Sequence, residues 1–191
     1  MRHARAVAAS CVLVTGLAAL GACGDPFGLP QPFVTNVVDT VSLYALGGTP
    51  VALPSGYRLQ FRQAVRVDLV PFDFAFEIDS AGRALLLPTG PLDLGRNSGV
   101  QLSSQAFDSI LIAPSRNYQL DSAVVVRDSS VAIVQSQLAL CSWGGQAFYY
   151  AKLRVLAVDT TSGPGGRRLD FEILVDANCG YRGLEPGLPR R

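Results

Sequence analysis

Hydrophobic and polar residues alternate along much of the chain, which is the pattern of β-strands with one face in water. From Tyr57 to Leu69 the odd positions are mostly apolar and the even positions are mostly charged or polar. The alternation returns with the other parity from Phe72 to Asp79. We expect these two runs to be antiparallel neighbours. Leu69 would pair with Phe72 across Val70-Pro71, unless a wider turn joins the strands.

Six further runs have the composition of strands, and loops rich in Gly, Ser and Asp separate them. They span residues 37–46, 83–87, 118–127, 131–137, 147–159 and 168–176. We expect the third and fourth to form a hairpin around Asp128-Ser129-Ser130, and the last two to form a hairpin around the loop 160–166. About eight strands with mostly short connections predict a single all-β domain, either an antiparallel β-sandwich or an up-and-down barrel.

Helical spacing is rare in this part of the chain. Only residues 103–112 place apolar side chains at i, i+3 and i+4, after two Ser that could cap a helix. A strand through residues 110–113 is an equal alternative. The domain is therefore expected to hold at most one short helix.

The N-terminal segment follows a different pattern. Met1 to Arg5 is positively charged, and an apolar run follows from Ala6 to Leu20. This run is shorter than the roughly 20 residues that span a bilayer, but it has the length of the apolar region of an export signal. The pattern predicts a signal-peptide helix over residues 1–22.

The segment closes with Leu20-Gly21-Ala22-Cys23, which resembles the lipobox of bacterial lipoprotein precursors. The resemblance covers residues 1–23 only. It implies cleavage before Cys23, a diacylglycerol on its sulfur, and acylation, for example with palmitate, of the new amino terminus. The alternatives are an ordinary secretory signal that is cleaved nearby and an uncleaved anchor helix.

Lipidation would divide the remaining chain into three parts. Residues 23–36 form a tether rich in Pro and Gly, residues 37–182 form the β domain, and residues 183–191 form an irregular tail. Two or more acyl chains give durable membrane attachment. In enterobacterial lipoproteins, an Asp directly after the lipidated Cys signals retention in the inner membrane. Position 24 of this chain is Gly, so the resemblance favours the outer membrane. The expected location is the cell envelope, facing the periplasm or the surface in a Gram-negative host.

Charge and histidine content narrow the chemistry. The net charge of the 191-residue chain is +1, and the basic residues form no run, so we expect no nucleic-acid partner. The single His, His3, lies in the predicted signal. A mature chain without His excludes Ser-His-Asp and Cys-His nucleophiles and His-ligated metals. No glycine-rich nucleotide motif and no Gly-x-Ser-x-Gly sequence occurs, and we predict no cofactor, no metal and no catalytic residue.

Four cysteines lead to one predicted disulfide. Cys11 leaves with the signal and Cys23 carries lipid, so Cys141 and Cys179 remain in the domain. Exported compartments are oxidising, and the hairpin formed by residues 147–159 and 168–176 would bring the two sulfurs together. A redox or metal-binding thiol pair is the alternative, although the Cys-x-x-Cys spacing is absent.

A set of three carboxylates and the single lysine each have both a catalytic and a structural interpretation. Asp73, Glu77 and Asp79 share one strand face, and carboxylate pairs can hydrolyse glycosides. The structural interpretation pairs them with Arg62 and Arg66 on the neighbouring strand. Similarly, the single lysine, Lys152, is expected to be a solvated partner of Asp170 or Glu172 rather than a nucleophile.

The last two candidates lie near the cysteines. The sequence from Asp176 to Gly180 is similar to part of a calcium loop, but it lacks the later acidic ligands, which favours a turn. Trp143, Tyr149 and Tyr150 follow Cys141 closely and are candidates for an aromatic platform that contacts a sugar or a peptide. Packing against the disulfide and the sheet is the alternative for them.

These observations predict a membrane-anchored envelope lipoprotein with a non-catalytic binding or assembly domain. Its membrane contact is the acyl anchor, and its partner is expected to be an envelope protein or a glycan. The alternative is a small β-barrel that carries an apolar ligand in an internal cavity. A carboxylate-dependent hydrolase is the third and weakest hypothesis.

Overall fold

The computed structural model describes residues 29–189, and the fold lies in the compact unit formed by residues 31–191. The predicted signal-peptide helix, the lipobox with Cys23 and the first residues of the tether lie outside the described residues. Within the described range no helix is long and apolar enough to cross a membrane.

Strands and three short 3₁₀ turns make up the regular structure of residues 29–189. The strands are β1 Val38–Tyr44, β2 Gly56–Arg58, β3 Gln63–Val65, β4 Phe74–Ile78, β5 Ala84–Leu87, β6 Gly99–Ser103, β7 Val124–Val126, β8 Val131–Gln135, β9 Ala139–Leu140, β10 Gln146–Ala147, β11 Tyr150–Asp159 and β12 Arg168–Asp176. The 3₁₀ turns span Leu59–Phe61, Gly90–Leu92 and Phe107–Ser109.

The strands form two antiparallel sheets of five strands each. The first sheet has the order β1-β12-β11-β8-β6, and the second has the order β3-β2-β4-β5-β7. A separate hairpin consists of β9 and β10. The prediction of an all-β domain is confirmed, and of the two architectures that were expected the chain forms the sandwich.

Apolar side chains from both sheets fill the space between them. Along β12 the alternate residues Leu169, Phe171 and Ile173 point inward and are completely or almost completely buried. Phe171 meets two aromatic rings of the second sheet, Tyr57 and Phe74, each with 6.1 Å between ring centroids. Such aromatic contacts add specific packing to the burial of large apolar surfaces.

The long hairpin at the centre of the first sheet was predicted correctly. β11 and β12 pair in antiparallel register from Tyr150 opposite Asp176 to Asp159 opposite Arg168. A bulge after Val155 shifts the register by one residue. The sequence predicts this hairpin because both strands alternate strongly and a glycine-rich loop connects them.

The predicted strand 57–69 is broken, and its proposed register is wrong. The chain leaves β2 in a 3₁₀ turn, Arg62 takes a left-handed conformation with φ of 51°, and β3 then folds back beside β2. Tyr57 therefore lies opposite Phe74. The turn forms because the Leu59 N–H binds the carboxylate of Asp73 instead of a neighbouring strand.

The predicted hairpin around Asp128-Ser129-Ser130 is also wrong. β7 pairs with β5 in the second sheet, whereas β8 pairs with β6 and β11 in the first, so this turn carries the chain between the sheets. Backbone hydrogen bonds hold the turn against β11, because Ser129 N–H donates to the Val155 carbonyl and Val155 N–H donates to that of Ser130. The helix expected within residues 103–112 is reduced to the turn Phe107–Ser109.

Candidate functional site

Several residues that the sequence suggested as functional lie at one end of the sandwich. β1 begins there, β12 and β8 end there, and β11 starts there, because Val38 lies opposite Leu174 and Tyr150 lies opposite both Asp176 and Gln135. We call this the tether end, since residues 33–36 join the domain here. The loops at 45–54, 79–83, 127–130 and 160–167 lie at the opposite end, which we call the far end.

Asn178 fastens the start of the domain to the end of β12. Its side-chain oxygen accepts hydrogen bonds from the Phe33 and Val34 N–H groups, each at 2.9 Å, and its Nδ2 donates to the Val34 carbonyl at 2.8 Å. Asp176 in turn accepts hydrogen bonds from Asn178 N–H and Nδ2 through one carboxylate oxygen. The Asp176–Asn178 pair is thus a structural clamp on the point where the tether enters the fold.

The clamp uses side-chain oxygens that the resemblance to a calcium loop would assign to a metal ion. The side-chain oxygen of Asn178 is already occupied by N–H donors. Among the described residues there is no group of three or more His, Cys, Asp or Glu that could hold a metal ion. Burial raises the pKa of Asp176 to about 6, and hydrogen bonds from Asn178 and from the Gly183 backbone partly offset the rise.

The predicted disulfide joins the same end. Cys141 and Cys179 are bonded, and their Cα atoms lie 5.8 Å apart, within the usual range for a disulfide. The bond connects the start of the β9–β10 turn to the residue after Asn178. It therefore fixes that turn beside the tether clamp.

A groove of about 290 Å³ opens at the tether end, where the second sheet meets the segment that follows β8. It is open to solvent rather than enclosed. Its lining combines polar and apolar side chains: Arg58, Gln60, Pro71, Phe72, Asp73, Ser136, Gln137, Leu138, Ala139, Leu140 and Tyr149. This shape differs from the internal apolar cavity that a carrier of an apolar ligand requires.

Asp73 holds the two walls of the groove together. One carboxylate oxygen accepts the Leu59 N–H at 2.7 Å, and the other accepts the Gln137 N–H at 2.8 Å. Gln137 also donates through Nε2 to the Phe72 carbonyl at 2.6 Å. Burial raises the pKa of Asp73, and these backbone hydrogen bonds partly offset the rise because they favour the charged form.

The three carboxylates that suggested a hydrolase have separate structural partners. Asp73 binds backbone N–H groups, Glu77 contacts Arg167 at 3.2 Å, and Asp79 contacts Arg83 at 2.7 Å. The expected ion pairs with Arg62 and Arg66 are therefore wrong. Arg66 instead binds Asp68, which lies two residues away on the same segment.

Arg58 is the cationic group of the groove. Its guanidinium carbon lies 4.4 Å from the centroid of the Phe61 ring, and it makes a long contact of 3.5 Å with Gln60. No carboxylate of the described residues lies within ion-pair distance of it. Beside it Leu138 and Leu140 remain 51% and 68% exposed. The Arg58 charge lowers the pKa of the nearby Asp73 carboxylate, although the two groups form no ion pair. The groove thus offers a positive charge, partly balanced by Asp73, next to apolar surface.

The predicted aromatic platform is not formed. Tyr149 and Tyr150 are each only 7% exposed, and as successive residues at a strand start they point to opposite faces of the sheet. Tyr149 packs into the core and lines the groove, whereas Tyr150 packs outside the first sheet with Phe148 and Tyr118. Only Trp143 is substantially exposed.

Trp143 lies on the tight turn between β9 and β10. The turn is closed by the Cys141 N–H, which donates to the Gly145 carbonyl. A Cβ atom at Gly145 would come within 1.6 Å of the Trp143 ring, so glycine is required for the indole to lie across the turn. The position of this side chain therefore depends on the glycine at 145.

Lys152 is buried, contrary to the prediction of a solvated ion pair. The side chain is 1% exposed, and Nζ donates to the carbonyls of Phe107 and Ile110 at 2.8 and 3.0 Å. Burial lowers its pKa. The segment around Phe107 covers the face of the first sheet that the alternation assigned to solvent, and the expected partner Glu172 binds Arg154 instead.

Apart from Asp73 and Tyr149, the residues that line the groove were not predicted from the sequence. Arg58, Gln60 and Gln137 lie on separate segments and match no motif. The only sequence feature that pointed to the groove was the pair of leucines in Gln137-Leu138-Ala139-Leu140. Alternation alone does not tell whether these leucines face the core or the solvent. No protein-family model, curated protein or solved structure matches this chain.

Proposed function

We propose that the chain is the precursor of an envelope lipoprotein that is anchored through Cys23, and that its β-sandwich is a non-catalytic binding domain. Two features support export and anchoring. One is the resemblance of residues 20–23 to a lipobox, and the other is the Cys141–Cys179 disulfide, which suits an oxidising compartment.

The groove at the tether end is the observation that carries the binding role. Arg58 forms no ion pair with a described residue, although its charge acts on Asp73, and Leu138 and Leu140 leave apolar surface exposed beside it. Gln60 and Gln137 add hydrogen-bonding groups that can orient a ligand. This combination suits an anionic group on an envelope protein or glycan, with neighbouring apolar atoms lying along the leucines.

The non-catalytic assignment follows from how the reactive side chains are used. Asp73 connects two backbone segments, and Lys152 is bound to two backbone carbonyls. Each would have to give up structural hydrogen bonds to act on a substrate. Such exchanges leave buried polar groups unpaired, which costs about 1–3 kcal/mol for each group.

The anchor and the binding role are tested separately. Cys23→Ser is expected to abolish palmitate incorporation and to release the protein from membranes, and unchanged labelling would contradict the anchor. For binding, a photoreactive amino acid at Leu140 in cells is expected to give a discrete crosslinked product that disappears in the Arg58→Gln background. The matched control is the same photoreactive group at Val51, an exposed residue at the far end. Equal products at both positions would contradict the groove assignment.

A further inference from the structure

Four exposed apolar side chains lie at the tether end and form what we call the apolar rim. Phe33 is 75% exposed and Trp143 is 43% exposed, and Leu138 and Leu140 belong to the lip of the groove. Soluble domains rarely leave such side chains grouped in solvent without a partner that covers them.

Covalent and hydrogen bonds hold the segments of the rim together. The Asn178 side-chain oxygen accepts hydrogen bonds from the Phe33 and Val34 N–H groups, and the next residue, Cys179, is bonded to Cys141. Cys141 lies between the rim leucines and Trp143 in the chain. The rim is thus a fixed feature of the folded domain.

The rim has the composition of a membrane-interface contact. Trp is favoured at the interface because its ring is largely apolar while its N–H can meet water, and Phe supplies apolar surface that enters the lipid. Leucines supply apolar area, and a nearby cation is attracted to anionic lipid headgroups. Arg58 provides that cation, because it lines the same groove as Leu138 and Leu140 and forms no ion pair with a described residue, although it attracts the buried Asp73 carboxylate.

The position of the predicted anchor indicates that a bilayer covers the apolar rim. Phe33 lies only ten positions after Cys23, so the chain between them can span at most about 35 Å however it is arranged. Lipid on Cys23 therefore keeps the tether end close to the membrane, whereas the far end carries no such restraint. We propose that the apolar rim rests on the bilayer that holds the anchor, with the groove opening at the lipid surface. This inference depends on the proposed lipidation of Cys23.

The single tryptophan of the chain makes the contact measurable without a label. The lipidated protein is reconstituted into vesicles of phosphatidylethanolamine and phosphatidylglycerol, with or without bromine atoms on the acyl chains near the headgroups. Because an interfacial side chain lies within about 5–10 Å of the headgroup boundary, bromine is expected to reduce Trp143 emission by about half. Quenching by acrylamide in water is expected to fall when vesicles are present.

Two variants complete the experiment. In the double variant Trp143→Phe/Val51→Trp the tryptophan reports on the far end, and brominated lipid is expected to leave its emission unchanged. Leu138→Ser/Leu140→Ser retains Trp143 and is expected to weaken its quenching by lipid.

The outcomes separate this inference from the anchor itself. Vesicle flotation with no bromine effect on Trp143 overturns the rim contact and leaves the anchor in place. Equal quenching at positions 51 and 143 also overturns it, because the domain would then have no preferred end. Loss of flotation in the wild-type protein overturns both proposals. Protection of Trp143 in native envelopes but not in lipid vesicles overturns the bilayer contact in favour of a protein partner.

Discussion

The buried carboxylate of Asp176 is expected to make the stability of the domain depend on pH. Burial raises its pKa from an ordinary value of 3.8 to about 6 in the folded protein, although hydrogen bonds from Asn178 favour the charged form. A group whose pKa is raised by folding stabilises the fold while it is protonated in both states. Its contribution is therefore complete below about pH 4 and is lost as the pH rises through 6.

The size of the effect follows from the shift. A change from 3.8 to about 6 is roughly two pKa units, and each unit corresponds to about 1.4 kcal/mol, so the ionised group costs about 3 kcal/mol at neutral pH. Asp176→Asn removes the titration. The difference in unfolding free energy, variant minus wild type, is expected to rise by up to about 3 kcal/mol between pH 4 and pH 8.

Urea unfolding of both proteins at several pH values measures this difference. The comparison cancels the other titrating groups, including Asp73, whose raised pKa acts in the same direction, and the half-buried Asp79, whose lowered pKa acts in the opposite direction. Any constant effect of the new amide also cancels, because only the change with pH matters. A difference that stays flat from pH 4 to pH 8 would refute the reasoning.

Three further predictions concern packing and crosslinking. Cys141→Ser/Cys179→Ser opens a loop of 38 residues and is expected to lower the unfolding free energy by about 4 kcal/mol in urea titrations, and chemical reduction of the wild type should have a similar effect. Phe171→Ala removes a ring between the sheets and is expected to cost about 3–5 kcal/mol, whereas Leu156→Ala at the exposed bulge should cost far less, and equal losses would contradict the core assignment. Lys152→Gln is expected to speed amide hydrogen exchange in the 3₁₀ segment that its Nζ holds; unchanged exchange there would argue against that role.

The parts of the fold that could be predicted from the sequence are those that depend on neighbouring residues. β11 and β12 alternate strongly and are joined by a glycine-rich loop, so their pairing and the meeting of Cys141 with Cys179 followed from local pattern. The break after β2 did not, because it depends on a hydrogen bond from Leu59 to Asp73, which lies fourteen residues away.

Burial that arises from distant segments was also missed. Lys152 lies on the face of β11 that alternation assigns to solvent, and only the later folding of residues 107–110 over that face removes it from water. The groove poses the same difficulty. Arg58 and Leu140 meet because two sheets and a disulfide-linked turn converge at one end, and neither residue carries that information locally. Site residues that share no motif become visible only when the topology is known.

We propose above that this domain is attached to a membrane through lipid on Cys23. Mass spectrometry of the N-terminal peptide of the protein isolated from its native envelope is the decisive test of that attachment. We expect a peptide that begins at Cys23 and carries the mass of a diacylglycerol and an amide-linked acyl chain. A mature chain that begins at another residue and carries no lipid, or one that retains residues 1–22, would contradict it.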